Sequence, residues 1–301
     1  MSAARGEAKV IDGKAVSKRL LEKLPARVAA LTEERGEAPL LAIVAIGADS
    51  PSEAYLKTKL QACRSIGLET SVHSLPRGTT EAEAFQVLDD LGGNLHVDAI
   101  LLEMPVPEPL DARRLIDRIP PEKDAEGVTE RNFGRLFAAR SMADIDAAGV
   151  FLPCTALSII TLIQEAGIEP RGKQAVVIGR SNIVGKPAAH LLSCLDATVT
   201  LCHTKTPDLV SHLKRADIVV SAVGKPGLVT GAMLKRGTVL IDAGVCYEDG
   251  VMKGDADFES VRKVAAAVTP VPGGVGPVTT ACLLLNTVLA AERRTRARLA
   301  A

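Results

Sequence analysis

The stretch Ala175-Val-Val-Ile-Gly179-Arg180-Ser181-Asn-Ile-Val184-Gly185-Lys-Pro187 decides the fold: an apolar run stops at glycine, crosses a short polar loop and enters a helix-like pattern. A buried parallel strand ending at Gly179 and followed by a helix leaves the N–H groups of the turn and of the helix's first turn aimed at one place. The helix dipole favours negative charge there. Glycine at such a turn lets the backbone approach a phosphate that a side chain would fend off. The spacing departs from the usual dinucleotide fingerprint, because Ser181 stands where that pattern has its second glycine and the next glycine is Gly185. Taken alone, the stretch reads equally well as an ordinary strand-to-helix turn.

The residues beyond Pro187 tip the balance. A helix-like segment runs to about Cys194, and then a strand, Ala197-Thr-Val-Thr-Leu-Cys202, ends in His203-Thr204-Lys205-Thr206, which completes one βαβ unit. A site preferring NAD would carry Asp or Glu near the end of this second strand, to hold the ribose 2′-hydroxyl. This chain has Thr204 and Lys205 there and Arg180 in the first loop, a set of hydroxyl and cationic groups that suits a 2′-phosphate, so NADP is expected over NAD. A solvated lysine and arginine would leave the same trace.

The chain has 301 residues, 47% of them hydrophobic, which suggests about two α/β domains with ample cores. Lys plus Arg and Asp plus Glu are 36 each, so no global field recruits nucleic acid or an acidic membrane. Aromatic residues are only 2%, which weakens any base-stacking surface. The six cysteines are scattered without a Cys-x-x-Cys pair, and read as reduced, mostly buried thiols. Residues 1–14 are polar, and no apolar run is read as long enough for a membrane span, so cytoplasm is the expected location.

The pattern predicts a helix over 14–35, a strand over 40–46, a helix over 51–66, an extended run over 69–75, a helix over 80–92 and a buried strand over 97–102. The Pro- and charge-rich segment 105–127 is expected to border a second α/β unit with strands near 197–202, 217–222 and 238–242. In that unit Gly224-Lys-Pro-Gly227 and Asp242-Ala-Gly244 follow apolar strands, where open α/β sheets bind ligands. Near the end, Thr269-Pro-Val-Pro272-Gly273-Gly-Val-Gly276-Pro277 forms a stiff loop without bulky side chains, followed by an apolar helix over about 278–291.

In this order and spacing the chain resembles the methylenetetrahydrofolate dehydrogenase/cyclohydrolase family over essentially its whole length. The resemblance rests on Ser52-Glu-Ala-Tyr55-Leu-Lys-Thr-Lys59, Leu102-Glu-Met-Pro-Val-Pro107, Pro121-Glu-Lys-Asp-Ala-Glu-Gly127, Asn132-Phe-Gly-Arg-Leu136, Pro153-Cys-Thr155 and the glycine loops over 179–187 and 270–277. It implies an α/β fold: an N-terminal folate-binding catalytic domain (1–149), a Rossmann-type NADP-binding domain (150–270), and a ligand loop and final helix returning to the first domain (271–301), with the active site in the cleft between domains. It implies a homodimer formed through the Rossmann domain, tetrahydrofolate derivatives as partners, and no metal. Its chemistry is hydride transfer from 5,10-methylenetetrahydrofolate to NADP, then hydrolysis of the methenyl product to 10-formyltetrahydrofolate.

Carried over by position, the resemblance makes Lys59 the catalytic lysine of the water-attack step, with Tyr55 one helical turn earlier offering a flat ring to folate, and Glu103 as the group that tunes Lys59. Substrate contacts fall on Tyr55, Glu126, Pro272, Gly273 and Gly276. Cofactor contacts fall on Thr155, Gly179, Arg180, Ser181, Val184, Gly185, Pro187, Thr204, Lys205, Val223, Gly224 and Thr279. Without the surrounding motifs, a Tyr and Lys at i, i+4 would read as a surface pair.

Four positions depart from the family's pattern, which has Gln at Glu103, Asp at Glu126, and Pro and Gly at Ala156 and Ser158. A carboxylate at Glu103 would favour the ammonium form of Lys59 over the neutral amine that serves as a base, weakening hydrolysis, whereas a Glu103 kept protonated in a dry cleft would mimic the family's amide; the sequence leaves both open. Glu126 keeps an acceptor for the amidine edge of a pterin but moves it by a methylene. Two other readings stand beside the folate enzyme: an NADP-dependent oxidoreductase acting on another cyclic amine or iminium, and a nucleotide-binding relative without catalysis.

Overall fold

The structure, a computed structural model, describes residues 7–47 and 50–299, and of residues 50–55 the backbone alone. In chain order the elements are β1 (Lys9–Val10), α1 (Gly13–Leu21), α2 (Leu24–Arg35), β2 (Leu40–Ile46), α3 (Ser50–Ser65), β3 (Glu69–Leu75), α4 (Glu81–Gly93) and β4 (Ala99–Leu102). Short helices α5 (Ala112–Ile116), α6 (Glu130–Ala138) and α7 (Met142–Ala148) come next. After them are α8 (Cys154–Glu165), β5 (Gln174–Ile178), α9 (Gly185–Cys194), β6 (Thr198–Cys202), α10 (Leu209–Leu213), β7 (Ile218–Ser221) and β8 (Val239–Asp242). The hairpin β9 (Cys246–Glu248) and β10 (Val251–Lys253), α11 (Phe258–Val261), β11 (Ala267–Val268) and α12 (Val275–Leu299) complete the order.

The chain forms two compact units, neither contiguous in sequence: a first of residues 19–136, 150–152 and 283–299, and a second of residues 7–18, 137–149 and 153–282. These units differ from the contiguous spans 1–149, 150–270 and 271–301, with residues 7–18 in the second unit and 283–299 in the first. The expected border at 105–127 lies inside the first unit. There Ala125 donates its N–H to the Ile100 carbonyl at 3.3 Å, so the proline-rich segment returns to the edge of β4 instead of leaving it.

In the first unit a parallel sheet has the order β3-β2-β4. Its centre is Leu40-Leu-Ala-Ile-Val-Ala-Ile46, buried from Leu41 onward, as a parallel strand covered on both faces must be. Ala42, Val44 and Ile46 pack against Ala84, Leu88 and Leu91 of α4. Thr80 and Glu83 form a reciprocal capping box that starts this helix. The single helix expected over 14–35 is two, because Pro25 at the start of α2 has no N–H to give the preceding turn. Strand β4 begins at Ala99, two residues later than expected. Just before it the Asp98 carboxylate takes the Leu40 N–H at 3.0 Å and the Arg35 guanidinium at 3.0 Å.

In the second unit six parallel strands have the order β1-β11-β8-β7-β5-β6. The chain leaves β5 for β6 on one side and then crosses to β7 on the other, so β5 and β7 flank the switch point of the sheet. Val176, Ile178, Val219, Leu240 and Val268 share a core with Leu213 and Val261. Helix α12 runs well beyond the expected 278–291. By length and composition it could cross a membrane, contrary to the sequence reading, but 61% of its apolar window is buried inside the protein, as in a core helix.

Helix α1 starts on a glycine for a steric reason. A Cβ at Gly13 would lie 1.8 Å from the Gly274 carbonyl oxygen, so the glycine loop near 270–277 and the first turn of α1 touch backbone to backbone. Gly13→Ala is expected to destabilise the protein by about 1–3 kcal/mol, the range for overpacking, measured as a shift in the urea midpoint at constant slope.

Candidate active site

The carboxyl ends of β2, β3 and β4 open on a cavity of about 270 Å³ whose lining includes Ile46, Gly47, Arg77, Glu103 and Glu108. Glu103 is the first residue beyond β4. Its N–H still donates to the Val44 carbonyl at 2.8 Å, so the ladder itself fixes where the side chain starts. Lys59, on α3, places Nζ 2.8 Å from both carboxylate oxygens of Glu103. The two side chains are 12% and 8% exposed, far enough from bulk water for the pair to be weakly screened. Of Tyr55 only the helical backbone, four residues before Lys59, is described; its side chain lies outside the described residues.

Glu126 occupies the loop after β4, and burial pushes its carboxyl up to about 7, with Asp124 and Glu103 adding to the rise and Lys59 opposing it. The loop that carries it has a defined shape. Asp124 accepts the N–H groups of Gly127 and Thr129 and the Asn132 amide, each at 2.8 Å. Gly127 has φ +69°, and a Cβ there would meet the Phe151 carbonyl oxygen at 2.5 Å. Asn286, on α12, donates to the carbonyls of Ala125 and Leu152 at 3.0 and 3.1 Å and so ties down both sides of the loop. The structure thus brings Lys59, Glu103 and Glu126 into one charged group.

The second unit holds the remaining sequence-predicted residues. Gly179 has φ +114°, and a Cβ there would meet the Ala222 carbonyl oxygen at 2.5 Å; a Cβ at Gly185 would meet the Gly179 carbonyl oxygen at 2.1 Å. Both glycines are therefore required for the turn from β5 into α9. The Ser181 hydroxyl accepts the N–H groups of Val184 and Gly185 at 3.2 and 3.3 Å, so the serine in place of the fingerprint glycine closes the loop onto the start of α9. Pro187 sits in the first turn of α9. The register Ile178↔Cys202 sets Arg180 and Thr204–Lys205 just past the ends of neighbouring strands, all three exposed. The backbone turn, the helix N-terminus and these cations together fit a dinucleotide carrying an extra phosphate.

Thr155 lies in the first turn of α8 and Val223–Gly224 in the turn after β7. The Thr279 hydroxyl donates to the Val275 carbonyl at 3.2 Å, within its own helix. Pro272 and Gly273 lie in the loop entering α12, where Gly273 has φ +104°, and Gly276 is the second residue of that helix. The departures at Ala156 and Ser158 leave α8 intact: Ser158 is fully buried and donates to the Cys154 carbonyl at 2.7 Å.

Sequence reasoning passed over Asp124 as a loop organiser, Asn286 and Asp255. The partners of Asn286 and Asp255 are distant in sequence, so no local period marks them, whereas those of Asp124 follow it within the same loop and the next helix. The only trace is a small polar residue inside an otherwise apolar or glycine-rich run.

Two parallel α/β sheets, one with a glycine turn at its switch point and one with a buried lysine–carboxylate pair at its strand ends, define a two-domain nucleotide-dependent enzyme class. The chain belongs to the tetrahydrofolate dehydrogenase/cyclohydrolase family: the family's catalytic domain matches residues 11–126 and its NAD(P)-binding domain residues 153–295. Bifunctional protein FolD of Wolinella succinogenes is 42% identical over 286 residues, covering 95% of this chain and 97% of the relative. The FolD methylenetetrahydrofolate dehydrogenase/cyclohydrolase of Campylobacter jejuni has a similar crystal structure, with TM-score 0.89, 36% identity, and coverage of 95% of this chain and 99% of that one. The enzyme of Trypanosoma brucei, solved with NADP cofactor and an inhibitor, gives TM-score 0.89 at 36% identity over 96% of this chain and 99% of that one.

Burial of Glu126 has a consequence for stability. Its carboxyl titrates near 7 in the folded protein against an ordinary 4.5, so the folded state holds the proton more tightly and stability falls as pH rises from about 4.5 through about 7. Glu126→Gln removes this cost. Urea unfolding at pH 5 and pH 8 is expected to show the variant gaining about 2 kcal/mol on the parent between the two; an equal difference at both pH values contradicts it.

Proposed function

We propose that the protein oxidises 5,10-methylenetetrahydrofolate with NADP and hydrolyses the resulting 5,10-methenyltetrahydrofolate to 10-formyltetrahydrofolate. The observation that carries the reading is the Lys59–Glu103 pair, at 2.8 Å to both oxygens, held beside Glu126 at the strand ends of the unit that matches the family's catalytic domain. The turn after β5, with Arg180, Thr204 and Lys205, would hold NADP, which supplies the acceptor for hydride leaving the one-carbon methylene.

The first step needs no proton transfer at the reacting carbon, so it asks the protein for position: Tyr55 and Glu126 to hold the pterin, Pro272, Gly273 and Gly276 to border it. In the second step water adds to the methenyl cation and releases one proton, and the resulting hydroxyl gives up its remaining proton while the ring nitrogen takes one as the C–N bond opens. Lys59 manages these protons. Glu103 orients Lys59 and also commits two of its N–H bonds to one anion. We assign to this pair a slow second step relative to the first. No observation favours another cyclic amine or iminium as substrate. The same reading makes the protein a cytoplasmic homodimer joined through its second unit, with neither nucleic acid nor membrane as partner. Strand β6 supports it, as the sheet edge with Leu201 exposed.

The test measures NADPH formation from methylenetetrahydrofolate and, separately, decay of methenyltetrahydrofolate. Absence of both overturns the reading. Glu103→Gln removes the countercharge and is expected to raise the hydrolysis rate about 3–10-fold with a smaller change in hydride transfer, whereas Lys59→Met abolishes hydrolysis first. An unchanged or slower decay in Glu103→Gln would show that the carboxylate does not restrain Lys59.

Arg180→Ala is expected to weaken NADP about tenfold and NAD hardly at all, since one charge-assisted contact to a phosphate is lost. Parallel titrations with the two cofactors check it, and equal losses would remove Arg180 from the 2′-phosphate.

A further inference from the structure

The turn after β7 is shaped from beneath by one carboxylate. Asp255 is fully buried, and its side chain reaches back over some thirty residues to take three donors: the Ser221 hydroxyl at 2.6 Å and the Val223 N–H at 2.9 Å on Oδ2, and the Lys225 N–H at 2.7 Å on Oδ1. Ser221 is also fully buried, so water cannot stand in for either partner. The carboxylate is held in turn by backbone. The Asp255 N–H donates to Asp242 at 3.0 Å, and its carbonyl accepts the Val229 N–H at 3.1 Å.

The turn shaped in this way meets the glycine turn across the switch point. The carbonyl of Ala222 lies where a Cβ on Gly179 would meet it at 2.5 Å, and Gly224 has φ +71° with the Val245 carbonyl oxygen 3.1 Å from its Cβ position. Backbone is packed on backbone, so a displacement of 222–225 carries over to Gly179.

We propose that Asp255 is a positioning residue of the cofactor site, which sets the turn 222–225 by accepting its N–H groups and, through Ala222, sets the neighbouring turn at Gly179. This rests on the reading of those two turns as the cofactor site. No atom of Asp255 needs to touch the cofactor. A carboxylate is required because all three partners donate. Asparagine presents one acceptor and one NH₂, and in either orientation the NH₂ faces a backbone N–H of the turn. Losing one such bond opens the turn from which the cofactor is received.

The experiment measures the NADP dissociation constant of the parent, Asp255→Asn and Ser221→Ala by calorimetry, with thermal midpoints and the KM values for NADP and methylenetetrahydrofolate. Asp255→Asn is expected to raise the NADP dissociation constant and KM about tenfold, and Ser221→Ala two- to threefold, with the folate KM within twofold of the parent. A lowered thermal midpoint with an unchanged NADP dissociation constant is the mark of a merely structural residue and overturns the proposal. If Asp255→Asn does not fold, Ser221→Ala decides by the same criterion. A parent that binds NADP but transfers no hydride would overturn the proposed function while the binding comparison still decides the role of Asp255; a parent that binds no NADP overturns both.

Discussion

A loop that follows a parallel strand leaves the ladder with N–H groups that have no strand partner, and in this protein buried carboxylates take them up. Backbone donors cannot be left bare in a dry interior. Asp124 takes those of Gly127 and Thr129, Asp242 those of Gly244, Asp255 and Ala256, and Asp255 those of Val223 and Lys225. In each unit the segments shaped in this way stand next to the candidate site. The acceptor geometry of a few short acidic side chains therefore decides where ligand-facing backbone lies.

Much of the fold was legible in the sequence because it depends on local pattern. The run Ala175–Ile178 is apolar and largely β-branched, stops at a glycine, and is followed one helix later by Thr198–Cys202, the strand that pairs with it in parallel. Pro25 carried its own warning that the helix over 14–35 is two. The segment 105–127 falls inside the first unit, since proline and charge density describe a loop's composition and say nothing of its partners. Here the partner is β4, reached through Ala125 and Ile100. Likewise the exchange of residues 7–18 and 283–299 between units follows from long-range packing, such as Gly13 against Gly274, that no window of sequence contains.

The site divides the same way. Lys59 and Glu103 became candidates through motif resemblance, and their contact follows from geometry: one helix in register with a strand end. Asp255 and Asn286 were invisible because a single polar residue in sequence does not disclose a hydrogen-bond partner far along the chain. Such residues are found only by asking where each buried N–H and C=O is satisfied.

The buried acids are not alike, and the difference bears on chemistry. Asp242 accepts three backbone N–H groups, yet burial and the neighbouring Asp255 still push its carboxyl up to about 6. For Glu126 the Lys59 charge is set against burial and two other acids, and the carboxyl rises to about 7. Glu103 has the opposite arrangement, a cation against both oxygens. A carboxyl that is partly protonated near neutral pH can donate as well as accept. A pterin edge offers both kinds of partner, so under the proposed function Glu126 would meet such a ring in either protonation state, and Glu103 would orient Lys59. In that proposal binding and proton management fall to different acids within one small group.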